Sequence, residues 1–300
     1  MRLTIQVCTY KRAHLLGRVL DAYFEQNAPV DAYEVVLVND GSPDETPAVI
    51  EAARARATCA FIVINQENSG LAKSRNVGIR ASRGERIIFT DDDVLPTPRF
   101  VEEHLRSDER HGDVIVRGAV INTADFEVLP PPIWTPANYS GNYFWTSNVS
   151  VRRSRLDMVG TFFDESFTEY GWEDIELGMR LRAIGTRGVF NKDALAFHFK
   201  PPPRGTNIAG LVQQARAQAR TAVQLARRHP HWRVHLATGD TAPQRTLFRL
   251  LHNVGFAERL APLRGEDSGE RKLSFAQHIA ARAIAADAYY EELERAKHTH

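Results

Sequence analysis

The chain has 300 residues, 43% of them hydrophobic and 25% charged, with a formal net charge of +1. A chain of this size and balance folds around a large apolar core, and the lack of a dense basic stripe argues against a nucleic-acid partner. Two cysteines, Cys8 and Cys59, exclude a disulfide framework, no C-x-x-C metal spacing occurs, and no run of about 18 apolar residues is available to cross a bilayer. With an N-terminus that enters a strand at once, these features read as a cytoplasmic protein with reduced, buried thiols.

The first hundred residues alternate apolar strands with helical patterns. Strands are expected at residues 3–7, 35–38, 61–64 and 86–90, and strands separated by helix-length segments imply a parallel sheet with helical crossovers. Between the first two, Leu15, Leu16, Val19, Leu20, Tyr23 and Phe24 recur at helical spacing. The second strand ends in Asn39-Asp40-Gly41 and runs into Ser42-Pro43-Asp44-Glu45, which predicts a capping box with Ser42 as N-cap and Pro43 in the first helical turn. Ligands of open α/β sheets bind at such a strand edge beside a helix start.

The fourth strand ends in Asp91-Asp92-Asp93. Three carboxylates so close repel one another, and a hard divalent cation is the simplest compensation. Mg²⁺ or Mn²⁺ accepts carboxylate oxygens and is usually completed by phosphate and water. Three adjacent acids also occur in solvated loops, so the triplet takes its meaning from its setting.

Residues 122–147 are rich in Pro, Asn and aromatics, including Trp134, Tyr139, Tyr143, Phe144 and Trp145. They read as a mobile acceptor loop or as packing across the sheet edge. Asn148 follows, before an apparent strand at 149–151. Next come Tyr170-Gly171-Trp172-Glu173-Asp174 and a helix whose apolar face holds Ile175, Met179, Leu181 and Ile184, with Gly185 at its C′ position. Acids in a first turn complement the helix dipole. With Trp172 before them they also suit a sugar, whose ring rests on an aromatic face while its hydroxyls bond a carboxylate. A short strand at 188–190 leads to 194–199, where His198 between phenylalanines is either a satisfied, partly buried histidine or a ligand suited to Mn²⁺.

Pro201-Pro202-Pro203 marks a boundary. Residues 204–300 carry 15 Lys/Arg against 9 Asp/Glu, whereas residues 1–203 carry 23 against 28. Helical spacing recurs in this basic part, first with Leu211, Ala215, Ala219, Ala222, Val223 and Ala226 opposite Arg216, Arg220, Arg227 and Arg228, then around residues 247–254 and 274–297. Such helices lie on an anionic membrane, or pack on the rest of the chain or on a second subunit in a homodimer.

Taken in order, Thr9-Tyr-Lys-Arg12, Val38-Asn-Asp40-Gly-Ser42, Gly70-Leu-Ala-Lys73-Ser-Arg75-Asn76, Thr90-Asp-Asp-Asp93, Trp172-Glu-Asp174 and His198 resemble the family 2 type glycosyltransferases of the GT-A fold, over residues 3 to about 200. The resemblance implies an α/β, Rossmann-like nucleotide-diphospho-sugar transferase fold with a mostly parallel central sheet flanked by helices. Residues 1–203 would form the catalytic domain, with a nucleotide-binding half (1–95) and an acceptor and catalytic half (96–203), and residues 204–300 a helical C-terminal extension.

The activity implied is an inverting, metal-dependent transfer of a sugar from a nucleotide donor, foremost a UDP-sugar, to a hydroxyl of a glycan, a lipid-linked saccharide or a small molecule. Thr9, Tyr10, Arg12 and Asp40 would hold the nucleobase, Arg75 the nucleotide, Asp91 the ribose and Asn148 the donor sugar. Asp93, or else Asp92, would bind Mn²⁺ or Mg²⁺ with His198 as a further contact. Asp174 would be the general base and Glu173 would hold a sugar or acceptor hydroxyl. A sugar-nucleotide-forming nucleotidyltransferase is the rival enzyme, disfavoured because no glycine-rich phosphate loop follows the first strand. A protein that binds nucleotide sugars without turnover is the non-enzymatic rival, and a retaining transferase differs in the anomeric configuration of its product.

Overall fold

The computed structural model describes residues 1–138, 141, 143–201, 208–260 and 274–298. Tyr139 of the aromatic segment and Pro202 and Pro203 of the proline run lie outside the described residues. The chain divides into two compact units, one of Met1–Thr168 with Glu173–Pro201, the other of Glu169–Trp172 with Pro202–His300.

The first unit is built on one eight-stranded sheet. Its elements follow in the order β1 (Leu3–Thr9), α1 (Ala13–Phe24), β2 (Tyr33–Asn39), α2 (Thr46–Arg54), β3 (Ala60–Asn65), α3 (Leu71–Ala81), β4 (Arg86–Asp91), β5 (Val94–Pro96), α4 (Phe100–His111), β6 (Val114–Thr123), β7 (Val149–Arg152), α5 (Arg153–Met158), α6 (Glu173–Ala183) and β8 (Arg187–Phe199). The sheet order is β3-β2-β1-β4-β7-β6-β8-β5. From β3 to β4 every pairing is parallel; β7 then pairs antiparallel with both neighbours, β6 and β8 run parallel, and β5 closes the far edge antiparallel to β8.

A strand covered on both faces reads as a continuous apolar run, as β2 does over residues 35–38 and β4 over residues 87–89, all of them buried. In β4, Ile88 joins a core shared with Leu3, Ile5 and Val7 of β1 and Leu16, Val19 and Leu20 of α1. Its neighbours Ile87 and Phe89 point the other way, into a core with Ile79 of α3 and Leu177 and Leu181 of α6. In β6 the alternation slips: Ile115 joins the second core and Ala119 and Ile121 the first. The change coincides with a register shift between Gly118 and Ala119, where the β8 partner jumps from Asn191 to Leu195. Gly118 admits no side chain, since a Cβ there would lie 2.3 Å from the Ala194 carbonyl oxygen and from the Asn148 amide.

The expected capping box is corrected. The helix starts at Thr46, after Glu45, and the Ser42 hydroxyl is instead buried under the first loop, where it accepts from the Lys11 amide at 3.1 Å. The Thr46 amide donates to Asp44. The two short strands expected at 188–190 and 194–199 are one strand, β8, which runs past β6 through that register shift.

In the second unit α7 (Ile208–Arg228), α8 (Trp232–Ala237), α9 (Ala242–Asn253), α10 (Phe256–Leu260) and α11 (Phe275–His298) follow in order. Ala219, Ala222 and Val223 of α7 pack with Leu293 of α11 and with Trp172, Tyr289 and Tyr290 around them. The basic face of α7 is engaged inside the unit: Arg220 pairs with Glu169 and Glu292, Arg216 lies 3.7 Å from Glu291, and Arg227 donates to the Ala296 and Lys297 carbonyls. Among the described residues no helix is long and apolar enough to cross a membrane.

Candidate functional site

The C-terminal edge of the parallel strands carries the acidic triplet. Asp91 ends β4; its Oδ1 accepts from Arg75 at 3.2 Å and its Oδ2 from the Ser147 hydroxyl at 2.7 Å. Asp92 and Asp93 share Arg12, whose Nε lies 3.3 Å from Asp92 Oδ1 and whose Nη2 lies 3.2 Å from Asp93 Oδ2. Burial, only partly opposed by Arg12, pushes the Asp92 carboxyl up to about 7. Burial and then the Asp91 charge raise Asp93 as well.

The remaining oxygen of Asp93 is the one place in this cluster where a charge is left unanswered. Asp93 Oδ1 is buried, makes no hydrogen bond and faces His198 Nε2 at 3.6 Å. His198 Nδ1 meets Asn122 Oδ1 at 3.1 Å. A carboxylate oxygen and an imidazole nitrogen turned towards each other with no hydrogen bond between them are a donor pair that suits Mn²⁺. Among the described residues no three His, Cys, Asp or Glu side chains are grouped to hold an ion by themselves, so phosphate and water would complete its shell.

The second set of carboxylates sits at the start of α6. Arg75, on α3 and buried, donates from Nη1 to Glu173 Oε1 at 2.6 Å, and from Nη2 to the Thr146 hydroxyl at 2.7 Å as well as to Asp91. Burial favours a neutral guanidine, but Glu173 and Asp91 outweigh it and hold Arg75 charged. Asp174 accepts from the Thr146 amide at 3.4 Å and from the Ile175 amide at 2.7 Å. Its carboxyl is pushed up to about 7, by burial first and the Glu173 charge second, against the pull of Arg75. Desolvation thus outweighs the favourable helix dipole, and the group is poised to exchange a proton near neutral pH.

Asp40 is a clasp on the loop before α3: its carboxylate accepts from Gln66 at 2.7 Å, the Ser69 amide at 2.9 Å and the Gly70 amide at 3.0 Å. Burial would raise it, but these bonds prevail and hold it below the ordinary carboxylate range. Thr9 is buried, its carbonyl accepting from the Asp40 amide, while Tyr10 is exposed at the rim with the Lys11 ammonium over its ring. Asn148 turns inward: its amide nitrogen donates to the Ala119 and Ala194 carbonyls and its oxygen meets His104 Nε2, so both amide hydrogens are spent inside the fold. Trp172 groups with the helical unit, where its indole N–H donates to the Gln218 carbonyl and its φ of 72° is left-handed, unusual for so bulky a residue.

Several members of the site belong to no motif. Thr146 and Ser147 present hydroxyls to Arg75 and Asp91, Asn122 orients His198, and the half-buried Trp145 stands edge-on to His198 with centroids 6.5 Å apart. The hint along the chain is polarity, the run Thr146-Ser147-Asn148 just before β7.

A sequence-family model described as glycosyl transferase family 2 matches residues 4–162. A validoxylamine A glucosyltransferase of Streptomyces hygroscopicus subsp. jinggangensis is 29% identical over 219 residues, covering 61% of this chain and 52% of that protein. The chain spans about half the length of these curated relatives. Two solved structures share the fold: mannosyltransferase PcManGT from Pyrobaculum calidifontis with GDP-Man and Mn²⁺, at a TM-score of 0.62 and 18% identity over 97% of this chain and 87% of that one, and S. aureus TarS 1-349 with UDP, at 0.60 and 18% over 98% and 90%. The fold is thus the expected GT-A type, with a mixed sheet and a helical C-terminal region.

Proposed function

The chain belongs to glycosyl transferase family 2, and from that premise we propose that it transfers a sugar with inversion from a nucleotide-sugar donor, a UDP-sugar, to an acceptor hydroxyl. The observation that carries this is Arg75, which bonds Asp91 of the acidic triplet and Glu173 beside Asp174. One buried guanidinium thereby ties the acidic triplet after β4, at Asp91, to the carboxylates at the start of α6, where Asp174 is suited to take a proton.

In this reading Asp93 and His198 hold Mn²⁺ or Mg²⁺, which when bound supplies positive charge against the departing diphosphate. The mannosyltransferase relative in fold binds GDP-Man with Mn²⁺ and TarS binds UDP, which supports a nucleotide donor with a divalent ion. Asp174 takes the proton of the acceptor hydroxyl. A carboxyl near pH 7 in its pKa is ionised often enough to accept and basic enough to help. Glu173, held by Arg75, keeps its negative charge next to Asp174 and so raises its basicity. Attack from the face opposite the leaving diphosphate inverts the anomeric carbon. Ser147 and Thr146 orient Asp91 and Arg75 and bring the Thr146 amide to Asp174.

Asp174→Asn tests this reading, because it removes the base and keeps the shape. Transfer from a UDP-sugar panel should fall about 10²- to 10⁴-fold, with UDP affinity by calorimetry unchanged. Near-normal transfer would overturn the role of Asp174, and an α-configured product from an α-linked donor, read by NMR, would make the enzyme retaining.

A further inference from the structure

The Arg12 guanidinium occupies a contested position. It bonds one oxygen each of Asp92 and Asp93, while the other Asp93 oxygen is turned, without a hydrogen bond, to His198 Nε2. A cation between Asp93 and His198 and a guanidinium on the same carboxylate are like charges side by side, so each weakens the hold of the other.

The two parts of Arg12 are held differently. Its amide donates to the Thr46 hydroxyl at 3.1 Å, its carbonyl accepts from the Leu15 and Leu16 amides at the start of α1, and Lys11 before it, left-handed at φ 57°, is bonded to Ser42. The backbone is pinned from three sides. The side chain, by contrast, is 39% exposed, and its long stem swings without disturbing that frame. An arginine fork also matches phosphate oxygens in a two-point geometry that a single carboxylate oxygen does not offer.

We propose that Arg12 is an exchangeable counter-ion that couples metal binding to nucleotide binding. In the free protein it neutralises Asp92 and Asp93 and opposes the metal. A nucleoside diphosphate draws the guanidinium onto its own oxygens and frees the carboxylates for the ion. Because such coupling is reciprocal, the metal tightens the diphosphate by the same factor. The proposal deepens the functional reading above and rests on its metal site at Asp93.

The test titrates Mn²⁺ alone into wild type, Arg12→Gln and Arg12→Lys, following the free-ion electron paramagnetic resonance signal, and repeats the titration with UDP after subtracting the ion that UDP itself binds. Arg12→Gln should bind Mn²⁺ about tenfold tighter than wild type without nucleotide, within the usual range of such couplings. Arg12→Lys, which keeps the charge, should stay near wild type. The factor by which UDP tightens Mn²⁺ should shrink in Arg12→Gln. Equal or weaker binding of Mn²⁺ by Arg12→Gln would overturn the proposal alone. No Mn²⁺ bound by either protein, with or without UDP, would overturn the metal site and the proposal together.

Discussion

Asp92 and Asp93 after β4, and Glu173 and Asp174 at the start of α6, are both crowded acids, but each pair is balanced by an arginine of a different kind. Arg12 reaches its carboxylates with a side chain that is 39% exposed, whereas the Arg75 side chain is 5% exposed and bonds Glu173, Asp91 and Thr146 together. A hydrated guanidinium can leave for another anion at little cost. A buried one cannot, because it would strand the carboxylates it neutralises. The contrast suggests that one pair is built to change partners and the other to hold a fixed geometry with a tuned proton affinity.

Arg75→Met gives the sharpest way to break this contrast. Leaving Glu173 and Asp91 without their buried counter-charge should cost about 3–5 kcal/mol in denaturant unfolding, whereas Arg12→Gln, which removes a guanidinium that is 39% exposed, should cost less. Similar losses in both variants would mean that exposure does not separate the two arginines.

His104 sharpens the fixed side. It is fully buried between Ser150 and Asn148, and burial pushes it down to about 3 from 6.5. A lowered histidine pKa means that the unfolded chain binds the proton first. Its stabilising contribution is therefore complete above pH 6.5 and is lost as pH falls from there towards about 3, on the order of a few kcal/mol in total. Relative to wild type, His104→Gln should flatten the fall in unfolding free energy over that window. An unchanged slope would mean that the ring is already charged in the fold.

Glu173→Gln should give the smallest effect. Removing the negative charge beside Asp174 lowers the pKa of the base, so the acid limb of kcat/KM against pH should move to lower pH, with the largest relative gain on the acid side. A limb that stays in place or moves to higher pH would mean that Glu173 does not set the proton affinity of Asp174.

Much of residues 1–95 was legible along the chain, because the buried parallel strands there are rich in apolar residues and the ligand edge of such a sheet lies at the strand ends. Residues 3–7, 35–38, 61–64 and 86–90 all fall within β1 to β4. The acids after β4 and at α6 stood out for the same local reason. The stretch from β5 to β6 was less legible: β5 has only three residues, and the face of β6 changes across its register shift, which defeats a period-two reading. Asn148 looked available beside a strand start, yet Gly118 and His104 close around it.

The sequence by itself determined where apolar periodicity makes strands and helices and which acids end them, since those depend on neighbours within a few residues. Only the tertiary structure decided which cation answers each acid. Arg75 meets Glu173 across 98 positions of the chain and Arg12 meets Asp93 across 81. It also turned Asn122 to His198, and grouped Trp172 with the helices of the second unit although Glu173, the next residue, belongs to the first. Charge compensation acts through space between side chains on different elements, and no local pattern records which of them the sheet will bring within reach.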